Sequence, residues 1–285
     1  LDVDGGTIKL DGNYPTGDRN TALGDTALDS VEAGGTDNTV IGSRAATATT
    51  TGDRNTVYGS DAYRCNATAS DNTAFGYQAM FCNTSGHNNV AVGNALCKNL
   101  SGLYNVAMGS GALSSNTTAS ANVGIGRLAL TTNTTGACNV AIGCCALKSN
   151  TTANHNTAIG HESLKSNTEG GCNVAVGRIS LQDNTTGANN VAIGASALQS
   201  NTTASDNVAI GKSALTATLT GCRNVAIGTQ ALFSNTADNN VAVGFCALKT
   251  NSSGANNTAV GRFALVLNQT GATNTAVGQN SLHSN

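Results

Sequence analysis

Residues 139–153 contain Asn139-Val140-Ala141-Ile142-Gly143, then Ala146-Leu147, then Ser149-Asn150-Thr151-Thr152-Ala153, and the pattern restarts at Asn156-Thr157-Ala158-Ile159-Gly160. The five-residue opening block recurs sixteen times in the 285-residue chain. Its Asn is Asn20, Asn38, Asn55, Asn72, Asn89, Asn105, Asn122, Asn139, Asn156, Asn173, Asn190, Asn207, Asn224, Asn240, Asn257 and Asn274, and a Gly follows four residues later, from Gly24 to Gly278. Successive glycines are 17 residues apart, except for one interval of 18 and two of 16. A fixed period of this size marks stacked repeats, each too small to bury a core alone.

Within the block, the residue after Asn is always Thr or Val, the next is nearly always Ala, and the third is larger and apolar. Seven residues before each glycine stands Gly or Ala. The stretch from that small residue to the glycine never changes length, so it sets the register, and the slack falls on the other side of the coil. Composition agrees with stacking: aromatics are only 4% and charged residues 11%, with no Trp. That is too little bulk for a rounded core. A net charge of −2 with abundant Val, Ile and Thr also argues against disorder. There is no basic face for nucleic acid and no apolar run long enough to cross a membrane.

Asn-Val-Ala-Ile-Gly reads as a short strand, with Val and Ile on one face and Ala on the other. The expectation is that the large residues fill a narrow coil and that Ala admits a second surface. The Ala-Leu block should supply a second short strand, and Asn-Thr-Thr-Gly and the strand-closing glycine should make the corners. The fold class expected is therefore all-β: a parallel β-solenoid of about 16 coils over residues 17–285, on the order of 75 Å long at ordinary strand spacing. The sixteen constant Asn should form a ladder of mutually bonded amides. Residues 1–16 lack the repeat and read as a lead-in segment, with Pro15 just ahead of the first coil. The last turn is cut short at Asn285, so continuation beyond it, by further chain or another copy, is expected.

The repeated Asn-Val-Ala-Ile-Gly resembles the head repeat of trimeric autotransporter adhesins. With Ala-Leu and Ser-Asn-Thr-Thr-Gly turns, and with Gly5-Gly6-Thr7-Ile8-Lys9-Leu10-Asp11-Gly12-Asn13-Tyr14-Pro15 ahead of them, it also resembles repeat regions of phage tail fibres. The resemblance covers residues 17–285. It implies a left-handed β-roll, three chains around one axis, an extracellular place on a virion or cell surface, and a role in attachment or spacing. The period here is longer than in adhesin heads, which keeps a monomeric solenoid or an end-to-end filament open beside the homotrimer.

No constellation for catalysis stands out. His87, His155, His161 and His283 lie in different coils, and Asp18, Asp37, Asp53, Asp71, Asp206 and Asp238 recur irregularly just before the constant Asn, as turn residues do. No metal, cofactor or catalytic residue is expected. Nine cysteines show no zinc spacing, but Cys65 and Cys82 lie at the same position of adjacent coils, within reach of a disulfide. One corner spells N-glycosylation acceptors at Asn66, Asn83, Asn99, Asn116, Asn133, Asn150, Asn184, Asn201, Asn251 and Asn268, although Asn-Thr-Thr is also plain turn chemistry. The function expected is a structural fibre segment, not an enzyme, with a surface receptor or glycan as partner and neither nucleic-acid binding nor membrane insertion. A self-assembling, glycosylated filament is the alternative.

Overall fold

A computed structural model describes residues 19–217 and 220–284; the lead-in at residues 1–16 lies outside them. Each repeat contributes one strand of three residues. The chain divides into two units, residues 1–138 and 139–285, and the boundary falls inside a repeat. The first unit carries β1 (Thr21–Leu23), β2 (Thr39–Ile41), β3 (Thr56–Tyr58), β4 (Thr73–Phe75), β5 (Val90–Val92), β6 (Val106–Met108) and β7 (Val123–Ile125). The second carries β8 (Val140–Ile142), β9 (Thr157–Ile159), β10 (Val174–Val176), β11 (Val191–Ile193), β12 (Val208–Ile210), β13 (Val225–Ile227), β14 (Val241–Val243), β15 (Thr258–Val260) and β16 (Thr275–Val277). Within each unit, every strand pairs in parallel with the next in sequence. Equivalent residues stand side by side: Val174 with Val191, Ala175 with Ala192, Val176 with Ile193. The described residues contain no helix. The parallel β-solenoid with a 17-residue period is thus observed.

The facing of the strand reverses the sequence expectation. The middle residue points inward: Ala141, Ala158, Ala175, Ala192 and Ala209 are fully buried. The larger residues flanking it point outward, and Ile193 remains 39% exposed. The cause is the width of the coil. Its interior is filled from the opposite side by a column of leucines, fully buried at Leu113, Leu130, Leu147, Leu164, Leu181 and Leu198. At Gly124, which replaces the strand Ala, an added Cβ would lie 3.2 Å from Leu113 Cγ. Opposite Leu113, then, there is room for little more than Ala. Val57 is larger and fully buried, and the residue at the same offset before it is Ala46, the one alanine at the leucine positions.

The Ala-Leu side is not a second strand. It is a run of turns in which two residues of nearly every coil take left-handed backbone angles, for example Ser196 at φ 58° and Leu198 at φ 50°. Such angles cost an L-residue about 1–2 kcal/mol. Hydrogen bonds to both neighbouring coils offset that cost: Ser196 N–H donates to Arg178 O at 3.1 Å, and Leu198 N–H donates to Ala214 O at 3.0 Å. The strand-closing glycine answers both readings of its role. Gly194 has φ 130°, and a Cβ there would sit 2.6 Å from the carbonyl oxygen of Gly211 in the next coil.

Candidate functional site

The outward strand face presents two columns of side chains in each unit. In the second unit its two columns run Val140, Thr157, Val174, Val191, Val208, Val225, Val241, Thr258, Thr275 and Ile142, Ile159, Val176, Ile193, Ile210, Ile227, Val243, Val260, Val277. No charged residue interrupts them. At ordinary strand spacing the stripe is roughly 40 Å long. In the first unit the same face carries Tyr58 and Phe75, 47% and 52% exposed. Their rings stack at 5.2 Å between centroids. Sequence reading missed this surface because it placed the same residues inside.

Behind the strand lies the expected Asn ladder. In the second unit each constant Asn offers its side-chain oxygen to the backbone N–H of the next, from Asn139 to Asn274, at 2.9–3.1 Å. In the first unit the links from Asn20 to Asn122 span 2.8–3.1 Å. The Nδ2 group of Asn190 also donates to Asn173 Oδ1 and to the carbonyl of Ala204, the small residue of the next coil.

A second Asn ladder occupies the corner that spells glycosylation acceptors. Asn66, Asn83, Asn99, Asn116, Asn133, Asn150, Asn184, Asn201, Asn251 and Asn268 are all 0% exposed. Asn184 Nδ2 donates to Asn167 Oδ1 at 2.8 Å and to Gly187 O at 2.9 Å, and Asn201 repeats the arrangement with Asn184 and Ala204. Ala204 O therefore accepts from both ladders and ties them together. A sugar would replace one of the Nδ2 hydrogens that bond inside the ladder and would have to leave a fully buried site, so the glycan reading of this corner is at odds with the fold. A sequence signal for the ladder exists: Asn167 and Asn235 occupy the corner without a Ser or Thr two residues on, and both are equally buried.

The remaining polar residues are dispersed. Arg19 pairs with Asp37, Arg54 with Asp71 and Arg223 with Asp238. The hydrogen bond from arginine holds Asp37 and Asp71 below the usual carboxylate range. Asp206 accepts from Asn189, and Asp53 accepts from the Thr36 N–H. His87 Nδ1 accepts from the Ser70 N–H. Among the described residues no three His, Cys, Asp or Glu side chains group to hold a metal ion. Nor is any helix among the described residues long and apolar enough to cross a membrane. Burial raises the thiol pKa of Cys82, Cys97, Cys145 and Cys246 above the usual range. Cys65 and Cys82, paired in the sequence reading, have sulfurs 3.9 Å apart.

One buried tyrosine departs from the repeat. Tyr63 takes a leucine position, is 0% exposed, and places its hydroxyl between the ladders. It lies 3.0 Å from Asn55 Oδ1 and accepts from Asn72 Nδ2 at 2.5 Å. Burial raises its pKa far above the ordinary phenol value, so it is a neutral hydrogen-bonding plug.

No protein-family model matches the chain. Comparison with curated proteins finds no relative.

Proposed function

We propose that this chain is a structural fibre segment, working as a homotrimer outside the cell or on a virion, in which the strand faces of the three copies pack around a common axis. The observation that carries this reading is the charge-free outward stripe of Val and Ile in the second unit. Soluble monomers rarely leave so continuous an apolar surface in water. A second copy has the same coil pitch, so it meets each exposed Ile at matching height without any adjustment of register. Resemblance of the repeat to adhesin heads and phage tail fibres supports the extracellular setting and the role in attachment or display. A receptor or surface glycan is the partner such a segment would present itself to. The reading assigns no catalytic step and no cofactor.

The test is the mass of the full chain in solution. Sedimentation at micromolar concentration should give three times the chain mass, with short rods of uniform width in electron micrographs. A clean monomer overturns the trimer, and an open-ended series of lengths would favour the end-to-end filament instead.

A further inference from the structure

Two thiols of the first unit lie in contact across successive coils. Cys65 and Cys82 follow their strand-closing glycines, Gly59 and Gly76, by the same offset. The main chain at both is bound to the following coil: Cys65 N–H donates to Phe81 O at 3.0 Å and Cys82 N–H to Cys97 O at 2.9 Å. Their sulfurs stand 3.9 Å apart, part-buried. Stacked positions in a parallel sheet are about 4.7–4.9 Å apart, inside the roughly 4.4–6.8 Å over which Cα atoms accept a disulfide. Small side-chain rotations are enough to close the bond.

The other close sulfurs lack this geometry. Cys144 and Cys145 are 3.5 Å apart, but they are neighbours in sequence, and consecutive Cα atoms are only about 3.8 Å apart, below the disulfide range. Cys97 lies near Cys82 but is one position out of its column. Its sulfur is held on the other side, against Gln78 O at 3.7 Å and Asn94 Oδ1 at 3.6 Å.

We propose that Cys65 and Cys82 are an oxidation site, forming a disulfide that fastens two successive coils. The oxidant is a low-molecular-weight disulfide such as oxidised glutathione. One cysteine thiolate attacks a glutathione sulfur and releases one glutathione as thiolate, leaving a mixed disulfide. The second cysteine thiolate then attacks the protein-side sulfur, and the second glutathione leaves. Two protein thiols are oxidised, one external disulfide is reduced to two thiols, and the protons follow the released glutathione or the buffer. The closed loop is a single coil, so the bond opposes peeling of that coil by restricting the unfolded chain.

The test is treatment of the folded full-length chain with oxidised glutathione, alkylation of the remaining thiols, chymotryptic digestion and non-reducing mass spectrometry. Cleavage after Phe75, Tyr77 and Phe81 separates Cys65 from Cys82, and cleavage after Leu96 separates Cys97. The expected product joins the Cys65 and Cys82 peptides, with the other seven of the nine cysteines alkylated. Cys97→Ser should keep the link and Cys65→Ser should lose it, and reduction should lower the melting temperature of the oxidised parent. A Cys82–Cys97 link, a persistent glutathione adduct without closure, alkylation of all nine cysteines, or loss of the link in Cys97→Ser overturns the proposal.

Discussion

Asn190 accepts the backbone N–H and the side-chain amide of Asn207 on one oxygen, at 3.1 and 3.3 Å. Asn207 does the same for Asn224, at 2.9 and 3.2 Å, and gives its second amide hydrogen to Gly221 O. Both lone pairs of Oδ1 and both hydrogens of Nδ2 are thus used, in a site without water access. The ladder is a continuation of the sheet by side chains, and its register is the register of the coils.

Asn207→Ala should therefore cost far more than one hydrogen bond. It strips the acceptor from Asn224 N and Nδ2 and the donor from Gly221 O, leaving buried groups unpaired at roughly 1–3 kcal/mol each. A loss of about 3–5 kcal/mol is expected by urea denaturation, with faster hydrogen exchange at Val208 and Val225, because coils interact only with their neighbours. Asn207→Asp keeps the acceptor but buries a charge. It should be worse than Ala at neutral pH and recover partly in acid.

The period, the register and the first ladder were legible because each rests on an identity repeated at constant spacing. Which strand face is inside was not. Alternation in Val191-Ala192-Ile193 separates two faces but gives neither a direction, and the direction depends on Leu198 and its equivalents filling the coil from the far side. The leucine turn was equally hidden, since nothing in the residue type signals a left-handed angle at Leu198. The second ladder was visible in principle, through Asn167 and Asn235, but the acceptor triplet at the other corners obscured it.

Tyr63 tests how closely the core is matched to its ladders. Tyr63→Phe keeps the ring and removes the hydroxyl that meets Asn55 and Asn72. The expected cost is about 1–2 kcal/mol. Tyr63→Leu removes volume as well and should cost more, about 2–4 kcal/mol.

The Arg19–Asp37 and Arg54–Asp71 pairs set a pH response. Both carboxyls have lowered pKa values, caused first by the arginine hydrogen bond. Their contribution is therefore present above the unfolded carboxylate value, about 3.9, and is lost as pH falls through the lower folded values. Both pairs are exposed, so the effect should be small and should shrink in high salt. Carboxylate NMR titration checks it: Arg54→Gln should move the Asp71 midpoint upward.

The outward face gives the sharpest contrast, because adjacent residues of one strand should fail in different ways. Ile193 and Ile210 are 39% and 36% exposed, so lysine there leaves the core intact and can keep its ammonium in water. Ile193→Lys with Ile210→Lys should preserve the circular dichroism spectrum and change single-chain stability by less than about 1 kcal/mol, yet reduce the mass in solution to that of one chain. Ala192, the residue before Ile193 and the partner of Ala209 in register, is fully buried on the side of the leucine column. Ala192→Ile adds volume where none is free and should cost about 1–3 kcal/mol or more, with any loss of assembly following from that unfolding. If the lysine pair leaves a trimer whole, the strand face is not the surface on which the proposed trimer is built.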